Sequence, residues 1–303
     1  MKLLAARATL LGRTRHFFSS RGFTEVETPI LVPSPGLDVH LDAFETNANS
    51  QVRYLSTSPE YQMKRLLAAG HERIFQIVRA FRRGELGAVH NPEFTMLEFY
   101  RAHAGVQDIM RDTEQLVAAL SGGSVQLGSR NVSTLPPFAK MTVAEAFASF
   151  ASTSEAEMLD LAASNETEFY LRLVDRVEPA LAQLPHAVFL HRYPLQQASL
   201  ARPCDDDPRY AERFELYVAG VEICNGFGEL TDARVQRQRF AADQTARAAQ
   251  GLPVYPMDER FLAALETGLA PCAGNAIGLD RLMALCTGHR EIAPLLAFTH
   301  DEL

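Results

Sequence analysis

The chain has 303 residues, 47% hydrophobic and 22% charged, an ordinary globular composition with enough length for a sizeable core in one large domain or two small ones. Its net charge of -8 argues against a nonspecific nucleic-acid binder, which carries a basic surplus. Cys204, Cys224, Cys272 and Cys286 form neither a C-x-x-C pair nor a zinc-spaced cluster, so they read as reduced, mostly buried thiols of a cytoplasmic protein, and no apolar run is long enough to span a bilayer.

The first 24 residues hold five basic residues and no acid, as a mitochondrial transit peptide does. Leu3, Leu4, Leu10, Leu11, Phe17 and Phe18 nevertheless recur at near-helical spacing, which predicts an amphipathic helix. "GFTEVETPILV" (22–32) follows as an extended segment broken at Pro29. "SPEYQMKRLLAAG" (58–70) is a helix capped by Ser58, with Pro59 in its first turn and Gly70 past its end. "RIFQIVRAFR" alternates as a strand with Ile74, Gln76, Val78 and Ala80 on one face. The loop "RGELGAVHNP" leads into a second strand, "EFTMLEFY", giving a long-looped antiparallel pair. Residues 107–183 read as mainly helical, with a capping box in "TVAE" at 142–145. "HAVFLHRYP" is a short strand. "RFELYVAGVEICNGFGEL" is a hairpin turning at Ala219-Gly220, and "DARVQRQRFAADQTARAAQG" is a helix ended by Gly251. "CAGNAIGLDRLMALCTG" runs from a glycine-rich segment into a helix ended by Gly288. The closing "HDEL" matches an endoplasmic-reticulum retention address, which without a signal peptide reads as coincidence. Strand pairs among helices, without regular βαβ alternation, predict an α+β fold on an antiparallel sheet flanked by helices.

The hairpin carries the sharpest chemical signal. A turn at Ala219-Gly220 sets Tyr217 opposite Glu222 and Glu215 opposite Cys224, so Glu215 and Glu222 share a face as diagonal neighbours, roughly 7–8 Å apart at Cβ. Two such carboxylates repel unless a cation lies between them, and Mg2+ favours one or two carboxylates plus phosphate oxygens. The alternative is a glutamate paired with an arginine on an exposed sheet face. Beyond them, Gly226 and Gly228 permit a bend that would aim Asn225 and Glu229 inward, or else a solvated loop. Between Arg79 and Tyr100 the chain mixes Arg79, Arg82 and Arg83 with Glu93 and Glu98 among Phe94, Met96, Leu97 and Phe99. That mixture suits a substrate bearing both anionic and cationic groups. "GNAIGLDR" is a weak phosphate-loop pattern without a Walker lysine, and taken alone it is a glycine-tolerant bend followed by Arg281. His90 lies across the loop from Arg82.

Together these stretches resemble the catalytic domain of class II aminoacyl-tRNA synthetases, specifically the lysyl type, over nearly the whole chain. "GFTEVETPIL" resembles motif 1, whose elements form a homodimer interface in that family. "FRRGELGAVHNPEFTMLE" is similar to motif 2 and "GNAIGLDR" to motif 3, while "TSPEYQMKRLL" and "EICNGFGELTDA" look like the lysine-site segments. Residues 1–303 would then form one catalytic domain with a mainly helical insertion at about 105–185. Motif 1 starts so early that no anticodon-binding barrel is expected. Ala276 stands where the tRNA enzymes carry glycine, and "YPLQQASLA" is similar to a truncated branch that activates (R)-β-lysine and joins it to a lysine of elongation factor P.

The resemblance assigns ATP as co-substrate. Arg82 would hold the α-phosphate and His90 the γ-phosphate, with Asn91 beside them. Phe94 and Arg281 would sandwich the adenine, and Arg82 and Arg281 would be catalytic. Glu215 and Glu222 would bind Mg2+. Glu60, Glu98, Tyr100, Asn225 and Glu229 would hold the amino acid, with the Ala276 methyl shortening its pocket. One departure stands out: Gly84 occupies the place of the motif 2 glutamate, Glu85 comes one position late, and Arg83 replaces an asparagine. Either Gly84 lets the loop shift so that Glu85 substitutes, or ATP is held less well. Two other readings stay open: a minimal tRNA-charging enzyme using α-lysine, and an inactive regulatory paralogue.

Overall fold

The computed structural model describes residues 3–198 and 200–303, and it opens on the helix that the leucine and phenylalanine spacing predicts. α1 (Leu4–Ser19) buries Leu10, Thr14, Phe17 and Phe18, and the Phe18 ring stacks on Phe75 at 4.9 Å. The stretch with transit-peptide composition is therefore a packed part of the core. Pro29 separates two short strands that enter different sheets. β1 (Thr24–Glu25) lies along the main sheet, and β2 (Leu31–Val32) joins a small one with β3 (Glu45–Ala48) and β4 (Gln51–Leu55). α2 (Glu60–Ala68) then leads to β5 (Arg73–Phe81) and β6 (Glu93–Ala102), the expected long-looped pair.

α3 (Val106–Ser121) begins the region expected to be mainly helical. It also contains three strands, the hairpin β7 (Ser124–Leu127) and β8 (Arg130–Ser133), then β9 (Ala139–Thr142). Four short helices follow: α4 (Val143–Phe150), opened by the Thr142–Glu145 capping box, α5 (Glu155–Ser164), α6 (Glu166–Arg172) and, after a π-helical turn, α7 (Glu178–Leu181). The chain returns as β10 (Val188–Pro194), β11 (Tyr210–Val218) and β12 (Val221–Gly228). α8 (Ala233–Ala249), α9 (Glu259–Gly268), β13 (Cys272–Gly278) and α10 (Leu279–Cys286) complete it. All four cysteines are free thiols, and no helix among the described residues is long and apolar enough to cross a membrane.

The main sheet has the order β1-β5-β6-β13-β12-β11-β10-β9, antiparallel except at its two edge pairs. Its two faces differ sharply. Ile77, Leu97, Ile277, Cys224, Leu216 and Phe189 form one cross-strand row, and α1, α3 and α10 pack on that side as the largest apolar cluster. One residue along, the row on the opposite face reads Gln76, Glu98, Ala276, Asn225, Glu215 and Leu190. Two separate apolar clusters cover the ends of this second face. Tyr61, Phe240 and Phe261 belong to the one around Ile74 and Tyr100, and Phe147, Phe169 and Val177 to the one around Val188, Leu190 and Tyr217. Between them the polar row is left for a cleft.

Two details correct the expected geometry. The hairpin turns at Ala219 (φ 54°) and Gly220 (φ 79°) as the sequence implies, and Tyr217 faces Glu222, but a bulge at Ile223 shifts the remaining register. Glu215 therefore faces Asn225, not Cys224. The bulge also lets Glu222 and Asn225, three residues apart, point to the same face, which strict alternation forbids. Nor do Gly226 and Gly228 make a bend: β12 runs straight through them. A Cβ at Gly226 would come within 2.3 Å of the Phe214 ring, so close packing requires the glycine. "CAGNAIG" is likewise a central strand, because the Tyr100 ring lies across Gly274, 2.1 Å from where its Cβ would be. Gly274→Ala is expected to displace Tyr100 and cost about 1–3 kcal/mol of stability, read by denaturant unfolding.

Candidate functional site

Helix α2 supplies the acidic end of the cleft. Pro59, not Ser58, takes the N-cap position of α2; Ser58 Oγ, one residue before it, accepts from the Glu60 amide at 3.1 Å, and its hydroxyl donates to Glu98 Oε1 at 2.5 Å. Tyr100 donates to the other Glu98 oxygen at 2.8 Å. One turn on, Lys64 is fully buried, with its ammonium 2.5 Å from both Glu60 Oε1 and Glu229 Oε2. Burial, then the Glu60 charge, pushes the Glu98 carboxyl up to about 7 against the pull of Ser58 and Tyr100. Glu229 is pushed up to about 8 by burial, which outweighs Lys64. Burial alone would lower the Lys64 ammonium, but Glu229 and Glu60 together hold it above its ordinary value.

The basic end comes from the β5–β6 loop and α10. Arg281 is not a surface arginine: it donates to the backbone carbonyls of Val89 and Glu222, each at 3.1 Å, and to His90 Nε2 at 2.5 Å. His90 is thus a neutral acceptor, its pKa lowered by burial and then by Arg281. It pairs with Arg281 where the sequence placed it beside Arg82. The Arg82 guanidinium lies 5.2 Å from the Phe94 ring centroid, within cation–π range. Asn91 donates to the Glu93 carbonyl at 2.7 Å, holding the loop's return. Arg83 leaves the site, bonded to Asp42 through its backbone and side chain. Gly84 adopts φ 87°, where a glutamate would be strained, and the turn brings Glu85 back into the cleft, 3.5 Å from Arg82.

Glu215 and Glu222 do share a face. Glu215 is fixed by Arg213 at 2.6 Å, Tyr193 at 2.5 Å and Tyr217 at 2.8 Å. Glu222 is only half-buried on the cleft wall; partial burial and next the Glu215 charge raise its carboxyl, although Arg281 lies 3.5 Å away. A third acid, Glu178 of α7, accepts from Tyr217 at 3.3 Å. Burial and then repulsion from Glu215 and Glu222 push it up to about 7. Among the described residues no three such side chains meet with full metal-ligand geometry.

The two ends belong to one cleft with two lobes, enclosing about 640 and 870 Å3 of open space. Arg82, Met96, Asn225 and Ala276 line both lobes and mark their join. His90, Asn91, Phe94, Glu222 and Arg281 line the basic lobe, and Glu60 lines the acidic one. Glu98, Tyr100, Glu229 and Glu215 stand behind these walls, reached through Ser58, Lys64 and Arg213. Sequence reasoning missed Lys64, Glu178, Arg213 and Phe227, which lines the acidic lobe. Only Lys64 left a trace, a Glu–Lys pair at i,i+4 that ordinarily marks a solvated helix face.

A family model described as "tRNA synthetases class II (D, K and N)" matches residues 1–302. The chain belongs to this family of class II synthetases. Its relatives include proteins named "Elongation factor P--(R)-beta-lysine ligase" from Salmonella paratyphi B and Salmonella dublin, 41% and 42% identical. Each alignment covers 98% of this chain and 95% of the relative. Membership places the chain among ATP-dependent ligases with a mixed, mainly antiparallel sheet.

Folded Glu98 and Glu229 keep their protons to about pH 7 and 8, against 4.5 for an ordinary glutamate. Across that window the folded state holds the extra protons, so these two groups favour folding at low pH and cease to as pH rises through 7 to 8. A diammonium ligand needs the ionised forms. Its thermal stabilisation is therefore expected to be larger at about pH 8.5 than at about pH 6, measured by ligand-induced shifts in Tm; equal shifts would contradict the assignment.

Proposed function

We propose that the chain activates a diamino acid, (R)-β-lysine, as its adenylate and transfers it to a lysine side chain of elongation factor P. The observation that carries this reading is the join at Arg82, Met96, Asn225 and Ala276, where a lobe with arginine and neutral histidine meets a lobe lined by Asp38 and Glu60 with the buried Glu98 and Glu229 behind it. A nucleotide suits the first and amines suit the second, so the reacting carboxylate and α-phosphorus fall at the join. The names and near-complete coverage of the Salmonella relatives support the amino acid and the acceptor.

In the first step a carboxylate oxygen of the amino acid attacks the α-phosphorus of ATP, and the bond to the bridging oxygen breaks as pyrophosphate leaves with the electron pair. Arg82, at the join, faces the developing charge on the α-phosphoryl group, and Arg281 and His90 face the outer phosphates. No enzyme nucleophile is required, because positioning and charge stabilisation lower the barrier. Phe94 and Arg281 flank the base, and Glu85 takes the place of the missing motif 2 glutamate beside it. In the second step the acceptor amine attacks the adenylate carbonyl carbon. The new C–N bond forms, the C–O bond to phosphate breaks, AMP leaves and a proton passes to solvent.

Glu215 and Glu222 fit Mg2+: two carboxylates on one face, repelling one another, beside the basic lobe. That donor set leaves coordination positions for phosphate oxygens. Bound there, Mg2+ would neutralise phosphate charge. The Ala276 methyl narrows the join and favours a chain whose carboxylate sits differently from that of α-lysine. We read residues 105–185 as an insertion into one catalytic unit. We also read the exposed Ile30 and Leu31 of the motif 1 segment as part of a homodimer contact.

The test is ATP–pyrophosphate exchange with (R)-β-lysine, α-lysine and other diamino acids, followed by transfer trials with elongation factor P and with tRNA. (R)-β-lysine is expected to give the highest kcat/KM and elongation factor P to be the labelled acceptor. Arg82→Ala should slow exchange by about 100-fold or more. Charging of tRNA with α-lysine, or near-full exchange by Arg82→Ala, would contradict the reading.

A further inference from the structure

We propose that Lys64 is a positioning residue that sets the charge of the acidic lobe, so that the lobe accepts a substrate with two ammonium groups and rejects one with a single amine. The inference rests on the function proposed above and names what selects its substrate. Lys64 is buried and touches two of the three acids clustered at the wall of the lobe, Glu60 on its lining and Glu229 behind it, each at 2.5 Å. Glu98 is the third, held by Ser58 and Tyr100. The Tyr61 and Tyr100 phenols and the Cys272 thiol also face this cluster, burial raising the pKa of each; Asp38 and Arg82, of opposite charge, line the same lobe.

With Glu60, Glu98, Glu229 and Lys64 all ionised, this cluster carries two uncompensated negative charges. A diammonium substrate cancels them. A monoamine leaves one buried carboxylate unpaired, a costly outcome that discriminates strongly. Glu229 Oε1, behind the wall of the lobe, is buried without a hydrogen-bond partner among the described residues. Stability does not account for the lysine, since a buried ion pair is often no better than well-packed apolar residues. What an apolar side chain at position 64 would not do is hold Glu60 and Glu229 together. Lys64 lowers the pKa values of Glu229 and Glu98, so removing it raises both.

The experiment is Lys64→Met, assayed by ATP–pyrophosphate exchange with (R)-β-lysine and a monoamino analogue from about pH 6.5 to 9.5. At about pH 7.5, KM for the diamino acid is expected to rise about tenfold or more while kcat stays within about threefold. The acidic limb of kcat/KM should move up by about one pH unit, the loss should shrink as pH approaches 9.5, and preference over the monoamine should fall. A merely structural lysine would give losses that do not recover with pH. Should Lys64→Met fail to fold, Lys64→Met/Glu229→Gln removes both charges of the pair; it is expected to fold, to raise KM and to leave an acidic limb raised through Glu98 alone. Wild-type KM and pH profile in either variant would overturn the proposal. Wild-type protein inactive with every amino acid would instead overturn the function itself, before any variant is compared.

Discussion

The arrangement depends on burying charge in the middle of a sheet. Glu98 lies on β6 with apolar neighbours on both sides in sequence, and an ionised carboxylate there is tolerated only when its oxygens are bonded and a cation is near. Ser58 and Tyr100 bond it, and Lys64 balances the neighbouring Glu60 and Glu229. Each supporting group is itself fixed by the fold. Ser58 is placed by the start of α2, Lys64 by the next turn of that helix, and Tyr100 by the absence of a side chain at Gly274. Charge that is costly in the empty protein becomes specificity when a ligand of opposite charge arrives.

The same sheet supplies the other half of the site by a change of register. Regular pairing along β11 and β12 would turn Glu222 and Asn225 to opposite faces. The bulge at Ile223 turns both into the cleft while Ile223 and Cys224 stay in the core. Asn225 then lines both lobes, and Glu222 stands beside Arg281 in the basic one. Two apolar clusters, one from α2, α8 and α9 and one from the helices before β10, close the ends of the face and leave the polar row between them open. The cleft is thus a gap between two cores, floored by one sheet.

Much of the fold is legible because its signals are local. The spacing of Leu10, Phe17 and Phe18, the Ser58-Pro59 start, the Thr142–Glu145 box and the Ala219-Gly220 turn all act within a few residues. The strand at "CAGNAIG" is not legible, since its glycines answer to rings on neighbouring strands and resemble loop residues when read alone. A bulge leaves no mark in alternation, so the partner of Glu215 was misplaced by one residue. Most of the candidate site residues were named through motif resemblance; Glu60, Arg82, His90, Asn91, Phe94, Glu222, Asn225, Ala276 and Arg281 line the cleft, and Glu98, Tyr100, Glu215 and Glu229 lie behind its walls. Lys64 escaped because a lysine four residues after a glutamate looks solvated, and Glu178 because its neighbours at the cleft come from strands much later in the chain. Gly84 makes a left-handed turn, and Glu85 after it lines the cleft.

The most direct measurement is a crystal structure with a non-hydrolysable adenylate analogue of (R)-β-lysine. The account predicts the phosphoryl group against Arg82, the base between Phe94 and Arg281, and both amines in the lobe of Glu60, Glu98 and Glu229. An analogue bound in the reverse sense, or one whose amines reach none of those three carboxylates, would contradict it.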